Sequence, residues 1–395
     1  MFSGSTDSNS DTRRKDWKLL SAMNLFFMFG FTIYMGVFQN FFAEIVRGDE
    51  LNLGLLESLR EIPGLLAALM AGTLVAITES RISVLGLSIT GIGIAATGFF
   101  ADFWGVVAVT VFWSIGFHLW STVQPSMILK WTKGVESARF MGQMRSSGMI
   151  ATIFGLALAY GLSKLPHPPS YLTYYLLSGG SICIGSLLGF FLSRDVSHAE
   201  RERIILRKEY GLYYFLIFLE GCRRQIFSIF ALFTLIKVYH TDLAVVLGLF
   251  LINAILSSIF APRMGKFIDR VGERIPLTIY ASGIILIFLG YALVPVAAWL
   301  YVLYVVDNIL FSFSIGLSTY LHRIVRPGEL TPCLAMGTTM NHIAAVGLPV
   351  AGAWLWKASG DYRQPFFVGV ALAVVALIAT QKLPNRAPDV SPEAA

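Results

Sequence analysis

The sequence predicts an all-α membrane protein, with twelve transmembrane helices in two pseudo-symmetric six-helix bundles. Three observations predict it. The chain holds twelve apolar runs of membrane-spanning length, basic residues concentrate in alternate connections between them, and landmarks of the first half recur in the second at a nearly constant offset. Composition agrees. Of 395 residues, 55% are hydrophobic and 14% charged, and the mean hydropathy is +0.67. A soluble domain of this size is roughly a quarter charged.

A membrane helix needs about 20 mostly apolar residues to cross roughly 30 Å of hydrocarbon. Such runs lie at 18–44, 54–77, 82–101, 104–127, 142–162 and 171–193, then at 211–238, 244–262, 276–295, 298–321, 334–356 and 365–382. They give a polar cytoplasmic N-terminus (1–16, expected to be disordered), a first bundle (17–193), a linker (194–210), a second bundle (211–383) and a tail (384–395). Arg13, Arg14 and Lys15 precede the first run. That run is too long for a signal-peptide core and lacks a small-residue cleavage site, so it reads as an uncleaved span. Trp17, Trp104, Trp131 and Trp299 stand near span ends, as in interfacial aromatic belts.

The second observation is charge. With the N-terminus in the cytoplasm, twenty-two of the 30 Lys and Arg residues fall on the cytoplasmic side, five on the opposite side (Arg47, Lys164, Lys237, Lys357, Arg363) and three within spans. This positive-inside bias supports an even number of spans and two cytoplasmic termini, as expected of a multi-pass inner-membrane protein. It also accounts for the net charge of +6 without nucleic acid as a partner. The linker mixes five basic with four acidic residues and reads as a tether or a short interfacial helix.

The third observation is repetition. Phe140-Met141-Gly142 opens span five after a basic loop, and Ala335-Met336-Gly337 opens span eleven in the same way. Gly72 and Arg81 follow span two as Gly265 and Arg274 follow span eight. A duplicated six-helix unit explains both, and paired halves rocking about a midplane site are the usual logic of such carriers.

Gly265-Lys-Phe-Ile-Asp269-Arg270-Val-Gly272-Glu-Arg274 resembles the loop signature of the major facilitator superfamily, at its expected place between helices eight and nine. Glu136 to Gly142 is similar to that family's loop after helix four, and the resemblance extends over 17–382. It implies a secondary transporter whose signature loop braces and gates the cytoplasmic side. Asp269 would sit at a helix N-terminus, Arg270 and Arg274 would bridge to carboxylates or helix ends, and the glycines would permit a tight turn. The family's default state is a working monomer. The chain also departs from the pattern. Ala76 stands where the first-half signature expects an acid. Span five has Gly148 and Gly155 but no proline, unlike the Gly-Pro-rich helix of drug–proton exporters, and a similar motif, Gly347-Leu-Pro349-Val-Ala-Gly352, lies in span eleven. The arginine those exporters carry in helix four is absent, with His118 and Gln124 as the polar residues there.

Ionisable groups inside a bilayer cost several kcal/mol (roughly) unless paired or wet, so they mark candidate sites. Span seven carries Glu220, Arg223, Arg224 and Gln225. Counted from Gly211, Arg223 lies about 18 Å deep, and Glu220 shares its helical face. Span ten carries Asp307-Asn308, with Asp307 about 14 Å from the opposite side. A pair between Arg223 or Arg224 and Asp307 is expected. Arginine's planar fork suits a carboxylate or phosphate on an anionic or zwitterionic substrate, and Glu220 or Asp307 would be a proton site; a purely structural salt bridge is the alternative. Glu57, Arg60 and Glu61 in span two lie about 5–10 Å from the outer surface and are outer-gate candidates. His118, Gln124, Asn341 and His342 are further substrate or proton candidates, with weaker claims for Asn24, Tyr34, Gln39 and Asn40. Pro125 and Pro349 are expected to bend their helices.

No phosphate-binding Gly-Lys-Ser loop is present, which argues against an ATP-driven pump, and the six His and three Cys (Cys183, Cys222, Cys333) have no metal-ligand spacing. The expectation is therefore not an enzyme, with no cofactor. It is a secondary transporter of a small, charged organic solute coupled to protons, with the bilayer as its other partner. Drug–proton efflux, lipid flipping and a non-transporting sensor or assembly role stay open as alternatives.

Overall fold

The computed structural model describes residues 5–69, 78–131, 135–193, 205–326 and 328–384. Its elements are α-helices: α1 (Ser5–Phe41), α2 (Glu50–Leu69), α3 (Glu79–Thr97), α4 (Phe103–Trp131), α5 (Val135–Ser163) and α6 (Tyr171–Gly189). There follow α7 (Gly211–Gln225), α8 (Leu232–Lys237), α9 (Leu243–Val271), α10 (Arg274–Leu293), α11 (Ala297–Phe311), α12 (Ile315–Ile324), α13 (Leu330–Ser359) and α14 (Gln364–Thr380). A π turn at Ile226–Ala231 joins α7 to α8 as span seven, and a 3-10 turn at Ser312–Ser314 joins α11 to α12 as span ten. Twelve rods result. Among the described residues, nine helices are long and apolar enough by themselves to cross a membrane. Spans two and seven are not among them, because each carries three charges close together; α14, at 17 residues, is apolar but short.

α1 starts at Ser5, so the N-terminal stretch expected to be disordered is helical over most of its length. Once a long apolar helix is nucleated, extending it into a polar flank costs little. Asp16, at the end of that stretch, is buried and accepts hydrogen bonds from the Ser193 backbone N–H (3.1 Å) and hydroxyl (3.2 Å), which ties α1 to the end of α6. α5 and α13 likewise begin one to two turns before Gly142 and Gly337. Gly72, Ala76, Pro327, residues 132–134, most of the linker (194–204) and the tail beyond residue 384 lie outside the described residues.

The chain forms two compact units. The first comprises Met1–Asn52, Leu59–Arg201 and Thr241–Ala254. In it α3 packs on α4 and α6, and α1 on α5 and α6. α3 approaches both neighbours glycine to glycine: a Cβ on Gly86 would lie 2.8 Å from the Gly116 carbonyl oxygen, and one on Gly91 2.8 Å from that of Gly179. Small residues let membrane helices close to backbone distance where no hydrophobic force drives them together. The interior is aromatic, with Phe31 stacked on Phe117 (5.1 Å) and Tyr34 edge-on to Trp113 (5.0 Å).

The second unit comprises Leu53–Ser58, Glu202–His240 and Ile255–Ala395. Here α10 packs on α14 and α11, and α7 on α13 and α14. α9 ends where Gly272 takes a left-handed backbone (φ +80°), its N–H donating to the Ile268 carbonyl at 2.8 Å, the usual glycine helix stop. Exposed Phe190, Leu286, Trp299, Trp354 and Ile378 give the helices apolar outer faces suited to lipid.

Candidate functional site

The charged residues of spans seven and ten meet inside the second unit. α7 is amphipathic in an apolar setting, and its Glu220 and Arg223, three apart, share a face. Asp307 lies on α11 among apolar neighbours. Arg223 Nη1 donates to both carboxylate oxygens of Asp307 at 2.9 Å, and its Nη2 donates to Glu220 Oε1 at 3.3 Å. Glu220 Oε2 accepts the Tyr280 hydroxyl at 2.7 Å. The guanidinium also lies 5.4 Å from the Tyr280 ring centre and 5.3 Å from that of Phe311, within cation–π range. Arg223 is 5% exposed and Asp307 2%.

One cation thus faces two carboxylates. With both ionised, the cluster holds a net negative charge away from water, and a buried charge without a partner is expensive. A cavity of about 40 Å³ opens beside Glu220, Arg223 and Tyr280, with Leu277 and Thr380 on its other walls. It is large enough for a water. Arg223 Nε, buried and without a hydrogen-bond partner, belongs to the same group.

Arg224 does not join this cluster. It is exposed and donates from Nη2 to Asn341 Oδ1 at 2.9 Å. The pair expected between Asp307 and either arginine is made by Arg223. Asn308 turns its amide to its own helix, donating to the Tyr304 carbonyl at 2.9 Å. In the first unit, Arg60 pairs with its neighbour Glu61 at 2.9 Å. Glu61 and buried His118 bring carboxylate oxygen and ring nitrogen within 4.8 Å of each other, so His118 has an acid beside it. Glu57 is buried, Gln124 and His342 half-buried.

The signature segment differs from its expected geometry. Gly265, Asp269 and Arg270 lie within α9, so Asp269 is exposed in the last turn of that helix and heads none of its own. The long apolar run of span eight carries the helix through the motif, and the turn is confined to Gly272. Arg274 reaches Gln381 just beyond α14, at 3.2 Å from Nη2. The paired acid is Glu273, 4% exposed, with Arg323 of α12 at 2.9 Å. Sequence reasoning missed Glu273 and Tyr280. Glu273 occupies a variable slot of the motif, and one tyrosine hydroxyl in an apolar run is a weak signal.

The linker end docks on the second unit. Arg207 grips Glu329 through Nε (3.1 Å to each oxygen) and Nη2 (2.7 Å), and Tyr210 donates its hydroxyl to Glu329 at 2.6 Å. These hydrogen bonds, led by Arg207, hold the Glu329 carboxyl below the ordinary range. Tyr210 is fully buried.

The Major Facilitator Superfamily model matches residues 20–330. No curated protein matches the sequence. Among solved structures, a variant of the nucleoside transporter NupG superposes with a TM-score of 0.75 at 13% identity, covering 92% of this chain and 98% of that one. A D-xylose-proton symporter gives 0.73 at 14%, covering 94% and 98%. A bacterial homologue of the iron transporter ferroportin, inward-facing, gives 0.74 at 14%, covering 93% and 98%. At these identities the likeness is one of fold.

Proposed function

This chain belongs to the major facilitator superfamily, and we propose that it is a proton-coupled secondary transporter of a small anionic or zwitterionic organic solute. That it is a multi-pass membrane transporter with a small-molecule substrate, and not an enzyme, follows from the family and the fold. The Glu220–Arg223–Asp307 cluster carries the finer reading. Two carboxylates on one buried arginine form a group that takes up and releases one proton with a change of net charge. Arg224 is the substrate-facing cation. An exposed guanidinium about 18 Å along a span must face water rather than lipid, and its Asn341 partner leaves other donors of the fork open to a carboxylate or phosphate. The nucleoside, xylose and iron carriers of similar fold leave the solute itself open. Both termini lie in the cytoplasm in this reading, as the loop charges favour, and the monomer and the inner membrane are taken from the family's default.

The test is uptake of labelled organic anions and zwitterions into proteoliposomes under an imposed pH gradient. Gradient-driven flux is expected. Arg224→Ala should raise the KM, whereas Asp307→Asn should uncouple flux from the gradient. Flux insensitive to both substitutions would return the cluster to a structural salt bridge. No flux across the panel would favour a non-transporting role.

A further inference from the structure

A second pocket lies wholly within the first unit, at the end where span one leaves and spans six and eight enter. It measures about 470 Å³, inside the rough 300–1,000 Å³ range of small-molecule sites. Its walls include Glu44 at the end of span one, Lys164 and Pro169 of the span five–six connection, Tyr171 and Tyr174 of α6, and Asp242 before α9. None of these residues belongs to the charged cluster of spans seven and ten.

Three features make this more than a gap between loops. First, Glu44 is held in place. Its Oε1 accepts from Asn40 Nδ2 at 3.1 Å and its Oε2 from the Tyr171 hydroxyl at 2.7 Å. Asn40, fully buried, also donates to the Thr241 carbonyl at 3.2 Å, which fixes the segment carrying Asp242 against span one. Second, Tyr174 is 1% exposed, yet its hydroxyl has no hydrogen-bond partner. Leaving a buried hydroxyl unpaired is costly, and such groups in a pocket wall await a ligand or water. Third, the walls carry both signs. Glu44 and exposed Asp242 are acidic, while exposed Lys164, its ammonium 5.7 Å from the Tyr160 ring centre, is basic.

We propose that this pocket binds a small zwitterion bearing a primary ammonium and a carboxylate, of the amino-acid or dipeptide class. The ammonium sits between Asp242 and Glu44 and accepts cation–π support from Tyr171. The carboxylate meets Lys164 and takes the Tyr174 hydroxyl as a donor. A metal ion fits poorly. Calcium takes roughly six to eight oxygens, whereas both Glu44 oxygens already accept hydrogen bonds, a lysine shares the wall and the space far exceeds an ion. The site stands apart from the transport reading and does not require it.

The test is calorimetric titration of the purified full chain, in detergent, with three probes: glycyl-leucine, isopentylamine (no carboxylate) and 4-methylpentanoate (no amine). Saturable binding of the dipeptide is expected, with the two half-probes weaker by at least about tenfold. Asp242→Asn should weaken the dipeptide and the amine together. Lys164→Ala and Tyr174→Phe should weaken the dipeptide and leave the amine unchanged, with the melting temperature unaltered. Asp307→Asn, outside this pocket, should bind the dipeptide as the parent does, which separates the site from the transport cluster. No saturable dipeptide heat, an amine binding as well as the dipeptide, or affinities indifferent to Asp242→Asn and Tyr174→Phe would overturn the assignment.

Discussion

A single nitrogen of Arg223, Nη1, lies 2.9 Å from both carboxylate oxygens of Asp307, joining spans seven and ten deep within one unit. Removing Arg223 strands two carboxylates without solvent, a loss of about 3–5 kcal/mol for a buried pair, whereas removing Asp307 leaves the guanidinium still paired with Glu220. Arg223→Ala is therefore expected to lower the melting temperature sharply, and Asp307→Ala less so. Arg223→Asp with Asp307→Arg should recover part of it, measured by thermal unfolding in detergent. A double variant no more stable than either single one would contradict the pairing.

Arg223→Lys keeps the charge but loses the fork that serves Asp307 and Glu220 together. A partial stability loss of about 1–3 kcal/mol is expected. Gradient-coupled flux should fall further than stability does. Parallel unfolding and flux measurements separate the two effects.

Glu329, gripped by Arg207 and Tyr210, has a carboxyl held below its ordinary value of 4.5. A carboxylate with a depressed folded pKa contributes stability that is fully present above the unfolded value and is lost as pH falls through the folded one. The docked linker end should therefore resist proteolysis at neutral pH and become cleavable only below pH 4.5. Glu329→Gln should be cleavable at every pH. Limited proteolysis at residues 205–210 across a pH series checks this, and protection of the variant at neutral pH would refute it.

Gly54 lies against α13, where an added Cβ would come within 2.6 Å of the Pro349 carbonyl oxygen. One turn on, Ser58 Oγ accepts the Val350 N–H at 3.2 Å, next to the proline that interrupts the helix ladder. Gly54→Val is expected to destabilise by about 1–3 kcal/mol through overpacking. Gly347→Ala, with nothing within 4 Å of its added Cβ, should be neutral or slightly stabilising, since alanine favours helix. Paired melting curves decide it.

The twelve spans were legible because each is a long apolar run, and a bilayer leaves the backbone few options other than a helix. Arg223 and Asp307 were legible for the converse reason: a charge in such a run is conspicuous. The choice of Arg223 over Arg224 was not, since adjacent residues differ by about 100° of helix rotation and the sequence does not give the direction of the tenth span. The Glu273–Arg323 pair was hidden because neither residue stands out in a charged loop, and the helix N-terminal position expected of Asp269 is not met because an apolar run continues as helix into its motif. Polar tolerance at the N-terminus concealed Asp16, whose burial depends on Ser193, 177 residues away.

The π turn at Ile226–Ala231 stands immediately after the charged residues of span seven. Its extra residue slips the azimuth of everything beyond it, so Arg223 and Phe233 do not obey one helical count. Before the π turn span seven presents an exposed face that includes Phe215 and Arg224, whereas every residue from 229 to 236 is buried. The charged segment and the buried far end of the rod therefore meet their neighbours on independent azimuths.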